Sequence, residues 1–406
     1  METTLIILGV IAIILSCIPL FFSIQFYKGI NAYFNKKSDN NKYKASLIVP
    51  CKGLDPGFKE NIESLFNQNY PDYEIIFVTA TSDDPAFPIL SDIISAFPDV
   101  TAKLHTAGTV KGRSQKINNQ ICGLQHVEKD SQIFVFIDSD SRPKRDFLVN
   151  LISPLSDKSI GIATGFRWYL PVKNTFFSFL RSTWNGGGIV FLSNPKANYA
   201  WGGAMAIRKE VFYECNVLDY WQNALSDDMT ISLAVRQNNL NITFVPKCLV
   251  VTHEDCTMSE MFEWTNRQTI ISKVYHPNLW KSILFVHGTG NIILCVGMVL
   301  LIFHAISIIN SPQIIIAAIL MLSIIPMEML NGVFLLPSII RMLPEHRKKL
   351  KRVAIVYCLM APLASILVLI NSLYSLFTNE IKWRGITYKM KSITETIVVD
   401  EKSNYP

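Results

Sequence analysis

The pattern of apolar and polar residues divides the chain into long apolar stretches near its two ends and a central block of short ones. The long stretches cover residues 4–26, 283–310, 312–340 and 353–377. Each exceeds the roughly 20 apolar residues that a helix needs to cross the hydrocarbon core of a bilayer. Glu328 interrupts the third stretch and Pro362 the fourth. The pattern predicts an integral membrane protein with one N-terminal and three C-terminal membrane helices.

The central block, residues 45 to about 255, alternates short apolar runs with amphipathic stretches. Such alternation is typical of an α/β domain in which helices cover a mostly parallel sheet. The predicted strands are 46–50, 73–80, 101–106 and 132–137, and the predicted helices are 58–68, 87–97 and 116–127. We therefore expect a membrane anchor at 1–28, an α/β domain at 45–280, membrane helices at 283–378 and a tail at 379–406.

Composition agrees with a membrane protein, because 50% of the residues are hydrophobic and only 17% are charged. The net charge of +6 is modest and lies largely near the predicted membrane boundaries. It favours contact with anionic lipid headgroups over nucleic acid, for which no basic stripe interleaved with aromatic residues is present. The eight cysteines are scattered singly, which indicates reduced packing residues and neither a disulfide framework nor a zinc site.

Basic residues predict the orientation in the membrane. Five lysines follow the first apolar stretch, at positions 28, 36, 37, 42 and 44. By the positive-inside rule the N-terminus is then outside and the α/β domain cytoplasmic. Four full crossings would place the basic tail at 379–406 outside. We therefore favour a re-entrant hairpin at Pro362, with the alternative that the tail takes no part in the site.

Two aspartates follow the predicted strand at 132–137, whose last five residues are all apolar. Asp138 and Asp140 are two residues apart, so on an extended segment their carboxylates point to the same side. They lie where ligands bind, beyond the carboxyl end of a buried strand. A hard divalent cation, Mg²⁺ or Mn²⁺, completed by diphosphate oxygens, would relieve their repulsion. The alternative is a solvated acidic turn.

A second acidic pair, Asp227 and Asp228, opens a predicted helix with Ser226 as a candidate N-cap. One of these carboxylates is a candidate general base for deprotonating an acceptor hydroxyl. The alternative is structural, because acidic side chains in a first helical turn interact favourably with the helix dipole.

The other candidate site residues lie beyond strands or at a helix start. Gly202 and Gly203 allow close approach of backbone to a ligand, or form a β-bulge. Lys116 begins a helix whose N–H groups could bind phosphate, or it is an exposed lysine. His253 is a metal ligand or a surface residue. Polar residues after the first two strands also belong to the predicted pocket: Pro50, Lys52, Asp83 and Asp84.

Together these segments resemble the GT-A glycosyltransferases, and among them the ceramide glucosyltransferases of family 21 and the related family-two enzymes. The resemblance runs from Ser46 to Tyr388 and covers most of the chain. It rests on motifs in a fixed order. The first is the opening strand, helix and nucleotide-binding loop at 46–86, and the others are SQKINN (114–119), IDSDSRP (137–143), WGGAMAIRKEVF (201–212), LSDDMTIS (225–232) and WRGITY (383–388).

The resemblance implies a donor site for a UDP-sugar. Asp83 or Asp84 would hold the uridine, Lys52 would line the donor site, and Lys116 and Asp138 belong to the segments that surround it. It also implies that Asp138 and Asp140 coordinate Mn²⁺ or Mg²⁺ and that one residue of the second acidic pair, with Asp228 preferred over Asp227, is the base.

The chain departs from the family in the motif that follows the base. Family members carry Gln- or Arg-x-x-Arg-Trp there, whereas the residues before Trp264 include glutamates at both expected positions. Arg267 and Gln268 lie about one helical turn further on and could reach the same surface. We expect an acceptor pocket different from that of the family, so the identity of the lipid stays open. The missing motif also argues against a processive polymer synthase.

The sequence therefore predicts an inverting transfer of one hexose from a UDP-sugar to a hydroxyl of a membrane lipid, on the cytoplasmic face of the membrane. That membrane would be the plasma membrane in a bacterium and the ER or Golgi membrane in a eukaryote. Two alternatives remain: a transferase acting on a polyisoprenyl phosphate, which needs no general base, and a non-catalytic membrane scaffold that keeps a sugar-nucleotide-binding fold.

Overall fold

A computed structural model describes residues 2–34, 43–195 and 198–401. The chain forms two compact units, and each is made of three separate segments. The helical unit comprises residues 1–32, 173–191 and 255–378, and the sheet unit comprises residues 33–172, 192–254 and 379–406. The tail at 379–406 therefore belongs to the same unit as the α/β block.

The sheet unit contains a seven-stranded sheet of order β3-β2-β1-β4-β6-β5-β7. Strand β6 is antiparallel to both of its neighbours, and the other pairs in the sheet are parallel. The strands are β1 Ala45–Pro50, β2 Tyr73–Thr79, β3 Ala102–Thr106, β4 Ile133–Ile137, β5 Ile160–Tyr169, β6 Ala204–Arg208 and β7 Asn241–Thr252. The predicted mostly parallel α/β sheet is confirmed, and its first four strands are the four that the apolar runs predicted.

Helices cover both faces of this sheet, and two separate apolar cores lie against it. The helices of the sheet unit are α2 Phe58–Phe66, α3 Ala86–Ala96, α4 Gln115–Leu124, α5 Phe147–Ile152, α7 Lys209–Glu214, α8 Val217–Trp221 and α9 Asp227–Gln237. All five residues of β4 are buried, as expected for a central strand packed on both faces. A second, antiparallel sheet is formed by β8 Glu380–Trp383, β9 Ile386–Ser392 and β10 Glu395–Glu401.

The helical unit contains α1 and α6 and the helices from α10 onward. Their bounds are α1 Glu2–Phe34, α6 Phe176–Ile189, α10 Met258–Tyr275, α11 Pro277–Ala305, α12 Pro312–Leu322, α13 Ile324–Met342, α14 Arg347–Arg352 and α15 Ala354–Leu376. By length and composition, four helical segments of the described residues could cross a membrane: Glu2–Phe34, Pro277–Ala305, Pro312–Met342 and Ala354–Leu376. The four predicted apolar stretches coincide with them.

The predicted hairpin at Pro362 is wrong. Helix α15 continues through this proline from Ala354 to Leu376. Proline lacks a backbone N–H, but within a membrane protein neighbouring groups satisfy the freed carbonyl, so a helix can pass through it.

Candidate functional site

The acidic pair after β4 is held by two cationic side chains. Lys116 Nζ lies 2.8 Å from Asp138 Oδ1. The Arg167 guanidinium, from β5, binds both oxygens of Asp140 at 2.8 and 3.0 Å, and its Nη2 is also 3.7 Å from Asp138 Oδ2. The two carboxylates therefore converge on one guanidinium nitrogen, in agreement with their spacing of two residues on an extended segment.

Lys116 connects this pair with the second acidic pair. Its Nζ is 3.1 Å from Asp227 Oδ2 and donates to the carbonyl of Gly202 at 3.1 Å. The side chain is only 11% exposed, so Lys116 is not the exposed lysine of the alternative interpretation. Its helix begins at an N-cap in which the Ser114 hydroxyl accepts from the Ile117 N–H, and this fixes the direction of the first turn of α4.

The second acidic pair lies in the first turn of α9, and its two members have different surroundings. Asp227 is buried, and its Oδ2 also accepts from Gln120 Nε2 at 2.8 Å. Asp228 is only partly buried; its carboxylate accepts from the Gly202 N–H at 3.0 Å and from the Met229 N–H at 2.8 Å. The predicted N-cap at Ser226 is confirmed, since its hydroxyl accepts from Met229 N–H.

Burial of so many charges changes their protonation equilibria. Loss of hydration raises the pKa of Asp138 and of Asp227, because it penalises the ionised carboxylate. Burial also acts on Asp140, but the charges of Arg167 and Arg384 outweigh it and lower its pKa. The same competition raises the pKa of Lys116, where the aspartates outweigh the desolvation of the ammonium. The pocket therefore combines several aspartates with the lysine and arginine side chains that neutralise them.

The tail reaches this site through Arg384. The turn between β8 and β9 places Arg384 and Gly385 at positive φ, +48° and +77°, as in a tight two-residue hairpin. Arg384 Nη2 binds both oxygens of Asp55 at 2.8 and 3.0 Å, and its Nη1 donates to the carbonyl of Lys52. Asp55 in turn accepts from the hydroxyl of Ser139 at 3.1 Å, between the two aspartates that follow β4.

The loops after β1 and β2 are tied together by Asp84. Its carboxylate accepts from the Gly53 N–H at 3.0 Å and from the Ala86 N–H at 2.9 Å, whereas Asp83 is exposed. Pro50 is the last residue of β1, and Lys52 follows in the same loop. The residues predicted to line the uridine side thus lie in two neighbouring loops, and the Asp84 carboxylate holds the backbone of the first loop at Gly53.

The predicted acceptor-side residues lie in both units. Gly202 and Gly203 belong to the sheet unit and precede β6. Trp264, Arg267 and Gln268 lie on α10 of the helical unit, where the Trp264 ring packs edge-to-face on Trp184 with centroids 5.5 Å apart.

His253 follows β7, at the end where Leu170 N–H donates to the Thr252 carbonyl. This is the edge at which β5 ends, because β5 and β7 are parallel and Tyr169 pairs with Thr252. The His253 side chain is exposed. Over residues 2–34, 43–195 and 198–401, the structure contains no group of three or more His, Cys, Asp or Glu side chains arranged to hold a metal ion. A role of His253 as a ligand remains a prediction.

Three residues of the site were missed from the sequence: Asp55, Arg167 and Trp201. Trp201 lies under the Arg167 guanidinium, whose central carbon is 4.9 Å from the indole ring. An arginine within the apolar run of β5 was an available signal, because a buried guanidinium requires a carboxylate partner. Asp55 had no local signal of this kind.

The donor set of the pocket fits a divalent cation. Asp138 and Asp140 offer carboxylate oxygens, the ligands that Mg²⁺ and Mn²⁺ prefer, and their side chains remain 24% and 21% exposed. Two carboxylates leave room for waters and phosphate oxygens, which is how Mg²⁺ is held in nucleotide sites. Lys116 and Arg167 pair with these two carboxylates, which shows that the carboxylates stabilise positive charge at this position.

A family model described as glycosyl transferase family 21 matches residues 4–396, which is nearly the whole chain. The chain belongs to glycosyl transferase family 21. The match extends through the membrane segments and the tail, so the resemblance recognised from the motifs is confirmed.

Two similar proteins are ceramide glucosyltransferases. Ceramide glucosyltransferase 3 of Caenorhabditis elegans is 35% identical over 95 residues, 23% of this chain and 21% of that protein. Ceramide glucosyltransferase of Candida albicans is 29% identical over 134 residues, 30% of this chain and 24% of that protein. The match thus spans less than a quarter of the length of each of these relatives.

Among solved structures, the chain is similar to the mannosyltransferase PcManGT from Pyrobaculum calidifontis in complex with GDP-Man and Mn²⁺. That match has a TM-score of 0.47 and 16% identity, and it covers 90% of this chain and 99% of that one.

Gly202 provides a test of the packing around Lys116. A Cβ at this position would lie 2.7 Å from Lys116 Nζ and 2.8 Å from Asp227 Oδ2. We expect Gly202→Ala to displace the ammonium and weaken binding of UDP, the nucleotide of the donor proposed below, by about 10-fold or more, which corresponds to roughly 1.4 kcal/mol. Titration calorimetry with UDP measures the effect. Gly187→Ala on α6, where an added Cβ meets open space, is the matched control and should bind UDP as the unmodified chain does.

Proposed function

We propose that this chain transfers a single hexose, with glucose as the first candidate, from a UDP-sugar to a hydroxyl of a membrane lipid such as ceramide or a related sphingolipid or glycerolipid. One observation carries the proposal. Lys116 Nζ contacts Asp138 at 2.8 Å and Asp227 at 3.1 Å, so the acidic pair suited to a metal and the acidic pair suited to a base face the same pocket. A sugar bound by its diphosphate beside the first pair would present its anomeric carbon near the second.

The donor side of the pocket would hold the diphosphate. Asp138 and Asp140 would bind Mn²⁺ or Mg²⁺, which supplies positive charge to the departing UDP when bound. Lys116, Arg167 and Arg384 are three further cations whose pairing with aspartates fixes their positions. Preorganised cations of this kind stabilise charge that develops on a leaving group. Pro50, Lys52, Asp83 and Asp84 would line the uridine side.

Asp228 is the proposed base. Its partial exposure leaves it accessible to an acceptor, whereas Asp227 is buried against Lys116 and Gln120. The backbone N–H groups of Gly202 and Met229 orient the Asp228 carboxylate. As the acceptor oxygen forms its bond to the anomeric carbon, its proton passes to Asp228. The bond from that carbon to the diphosphate oxygen breaks, and UDP leaves with the electron pair. Because the acceptor attacks the face opposite the leaving diphosphate, the configuration at the carbon inverts.

The acceptor would approach from the side of Gly202 and Gly203. Trp264, Arg267 and Gln268 are proposed to contribute to acceptor recognition. Because glutamates occupy both expected motif positions before Trp264, ceramide is tested as the acceptor and is not assumed. We propose a cytoplasmic sheet unit with the N-terminus outside. The basic segment Arg347–Arg352, which follows α13, supports this orientation.

The nature of the acceptor is testable from UDP release. With UDP-glucose and Mn²⁺, we expect UDP release to depend on addition of a lipid with a free hydroxyl, ceramide first, and not on addition of a polyisoprenyl phosphate. Chromatography of the lipid product identifies the acceptor. Release that depends only on the polyisoprenyl phosphate would replace this proposal with the phosphate-acceptor alternative.

Arg384 is proposed to bind the diphosphate from the tail. Its pKa is raised because the charges of Asp55 and Asp140 outweigh the desolvation of the guanidinium, so the group lies within electrostatic range of the metal-binding pair. We expect Arg384→Gln to weaken UDP binding by about 10- to 100-fold and to leave uridine binding nearly unchanged, since hydrogen bonds to charged groups contribute about 1.5–3 kcal/mol. Titration with both ligands separates the two effects.

A charge exchange distinguishes diphosphate binding from a purely structural ion pair. The double variant Asp55→Arg with Arg384→Asp keeps the pair but moves the cation to the other loop. If Arg384 only attaches the tail, the exchange restores UDP binding; if it contacts the diphosphate, binding stays weak. Lys391→Gln is the matched control, because Lys391 is exposed on the same small sheet and pairs with Glu395 at 2.8 Å.

A further inference from the structure

Helix α15 is long and apolar enough to cross a bilayer. Along its length, however, it contacts α6 and α10, two helices that are not suited to cross one. Near its start, Tyr357 packs on Phe179 of α6, with ring centroids 5.4 Å apart, and its hydroxyl lies 3.1 Å from the hydroxyl of Ser182. Further along, Asn371 Nδ2 donates to the Asn266 side chain of α10 at 2.7 Å. Near its end, Ser375 accepts from Lys273 of α10.

Neither α6 nor α10 is suited to cross the hydrocarbon core. Helix α6 has 14 residues, and at about 1.5 Å per residue it is shorter than the roughly 30 Å core. The chain enters α6 from the sheet unit and returns to it, because residues up to 172 and from 192 onward belong there. Helix α10 carries charged side chains along its length, at Glu260, Glu263, Arg267 and Lys273.

The two faces of α15 differ in polarity. The face packed on the other helices carries polar residues, with Ser365, Asn371, Ser372 and Ser375 all buried. The opposite face carries a continuous row of exposed apolar residues at helical spacing: Ile355, Leu359, Leu363, Ile366, Ile370 and Leu373.

The directions of the other membrane helices show on which side of the membrane α15 begins. Helix α1 runs parallel to α12 and α13, because Glu2 contacts Ser311 at 2.6 Å and Ser23 contacts Asn331 at 3.2 Å. Helix α11 runs antiparallel to α12, because a short connection joins Ala305 to Pro312 while Gly297 lies against Met321. The chain therefore returns after α13 to the side on which α1 ends.

Residues 379–401 then join the same folded unit that residue 33 enters, so α15 must begin and end on one side of the membrane. Its contacts with α11 lie in the first half of α11: Trp280 Nε1 donates to Ser375 at 3.0 Å, and His287 Nδ1 lies 2.8 Å from the Ser365 hydroxyl. It meets α13 near the middle, where a Cβ on Gly332 would lie 3.1 Å from Cys358 Cα. Gly332 lies past the midpoint of the segment Pro312–Met342, so both ends of α15 lie in the half of the bundle on the side where that segment ends.

We infer that α15 does not cross the bilayer but lies along the leaflet on the side where α1 ends, with its row from Ile355 to Leu373 among the acyl chains. The partner of this surface is the lipid leaflet itself. Three segments, α1, α11 and α12 with α13, then form the membrane crossings. The tail that carries Arg384 remains on the same side as Asp55, to which Arg384 binds. The inference does not depend on which sugar or lipid the protein uses.

Depth-dependent quenching tests this arrangement on the full chain in lipid vesicles. Cys17, Cys122 and Cys295 are replaced by Ser, since the other free cysteines are buried. Single cysteines at Leu359, Ile366 or Leu373 then carry a fluorescent label, and lipids with a nitroxide at a shallow or a deep acyl position quench it. Ile7, Ile14 and Phe21, exposed on α1, form the matched series for a crossing helix.

We expect the three α15 labels to be quenched most by the shallow nitroxide, with shallow-to-deep quenching ratios that agree within about 2-fold. The α1 series should change depth along the helix. A deep maximum at Ile366, with shallow positions at Leu359 and Leu373, would overturn the inference. A reporter after residue 401 gives a second readout: accessibility on the side opposite to residues 347–352 would also overturn it.

Discussion

Asp228→Asn will reduce hexose transfer by about 10²- to 10⁴-fold, the contribution usual for a positioned general base. Asparagine keeps the size of the side chain and can still accept from the Gly202 N–H, but it cannot take the acceptor's proton. We therefore expect kcat to fall while the affinity for UDP stays within about 2-fold. Steady-state rates with radiolabelled donor, together with UDP titration, measure both quantities.

Asp227→Asn is the informative partner of this variant. Asp227 pairs with Lys116 and accepts from Gln120, so its loss should disturb the cation beside the diphosphate and weaken UDP binding as well as turnover. If Asp227→Asn abolished turnover with UDP binding intact, while Asp228→Asn remained active, the assignment of the base would be reversed. Full activity of both variants would favour a phosphate acceptor, which needs no base.

Asp138→Asn and Asp140→Asn will each remove the dependence of UDP binding on Mn²⁺ and reduce transfer by at least about 100-fold. The estimate follows from the several kcal/mol that a metal contributes to a developing charge, since each 1.36 kcal/mol changes a rate tenfold. Calorimetry with UDP, with and without Mn²⁺, measures the binding, and thermal unfolding verifies that the variants fold.

Asp130→Asn is the matched control for the metal pair. Asp130 is an exposed aspartate of the sheet unit that pairs with Lys44 at 2.9 Å, far from any role in the proposed pocket. It should retain Mn²⁺-dependent binding in full. A variant at Asp138 that bound UDP and Mn²⁺ as the unmodified chain does would contradict the metal assignment, and an unmodified chain without any such dependence would favour a non-catalytic scaffold.

The parts of the fold that could be predicted from the sequence are those determined by residues that are neighbours in the chain. The apolar run at 133–137 followed by Asp138 and Asp140 predicted both a buried strand and its acidic end, and the strand is β4. The Ser226 N-cap and the acidic first turn of α9 were also readable from neighbouring residues. In each case a short segment determines its own conformation through burial or capping.

Pairings between distant residues could not be predicted in this way. Asp55 and Arg384 are 329 positions apart, and only the return of the tail into the sheet unit brings them together. The role of Lys116, as a residue of the site or as an exposed lysine, was open for the same reason, because its partners come from the segment after β4 and from α9. The length and hydropathy of α15 predicted a membrane crossing, and Pro362 suggested a hairpin. Both predictions used features of the segment alone, whereas the inferred position of α15 depends on its contacts with α6 and α10.

The central claim, transfer of a hexose from a UDP-sugar to a membrane lipid, is tested most directly with the purified full chain in vesicles that contain ceramide, Mn²⁺ and radiolabelled nucleotide sugar. UDP-glucose, UDP-galactose and GDP-mannose are supplied in parallel, and the lipid fraction is resolved by chromatography and mass spectrometry. We expect one UDP-sugar, glucose first, to label a lipid that gains a single hexose, and no label with Asp138→Asn. Label from none of the UDP-sugars, or equal label from the Asp138→Asn variant, would contradict the account.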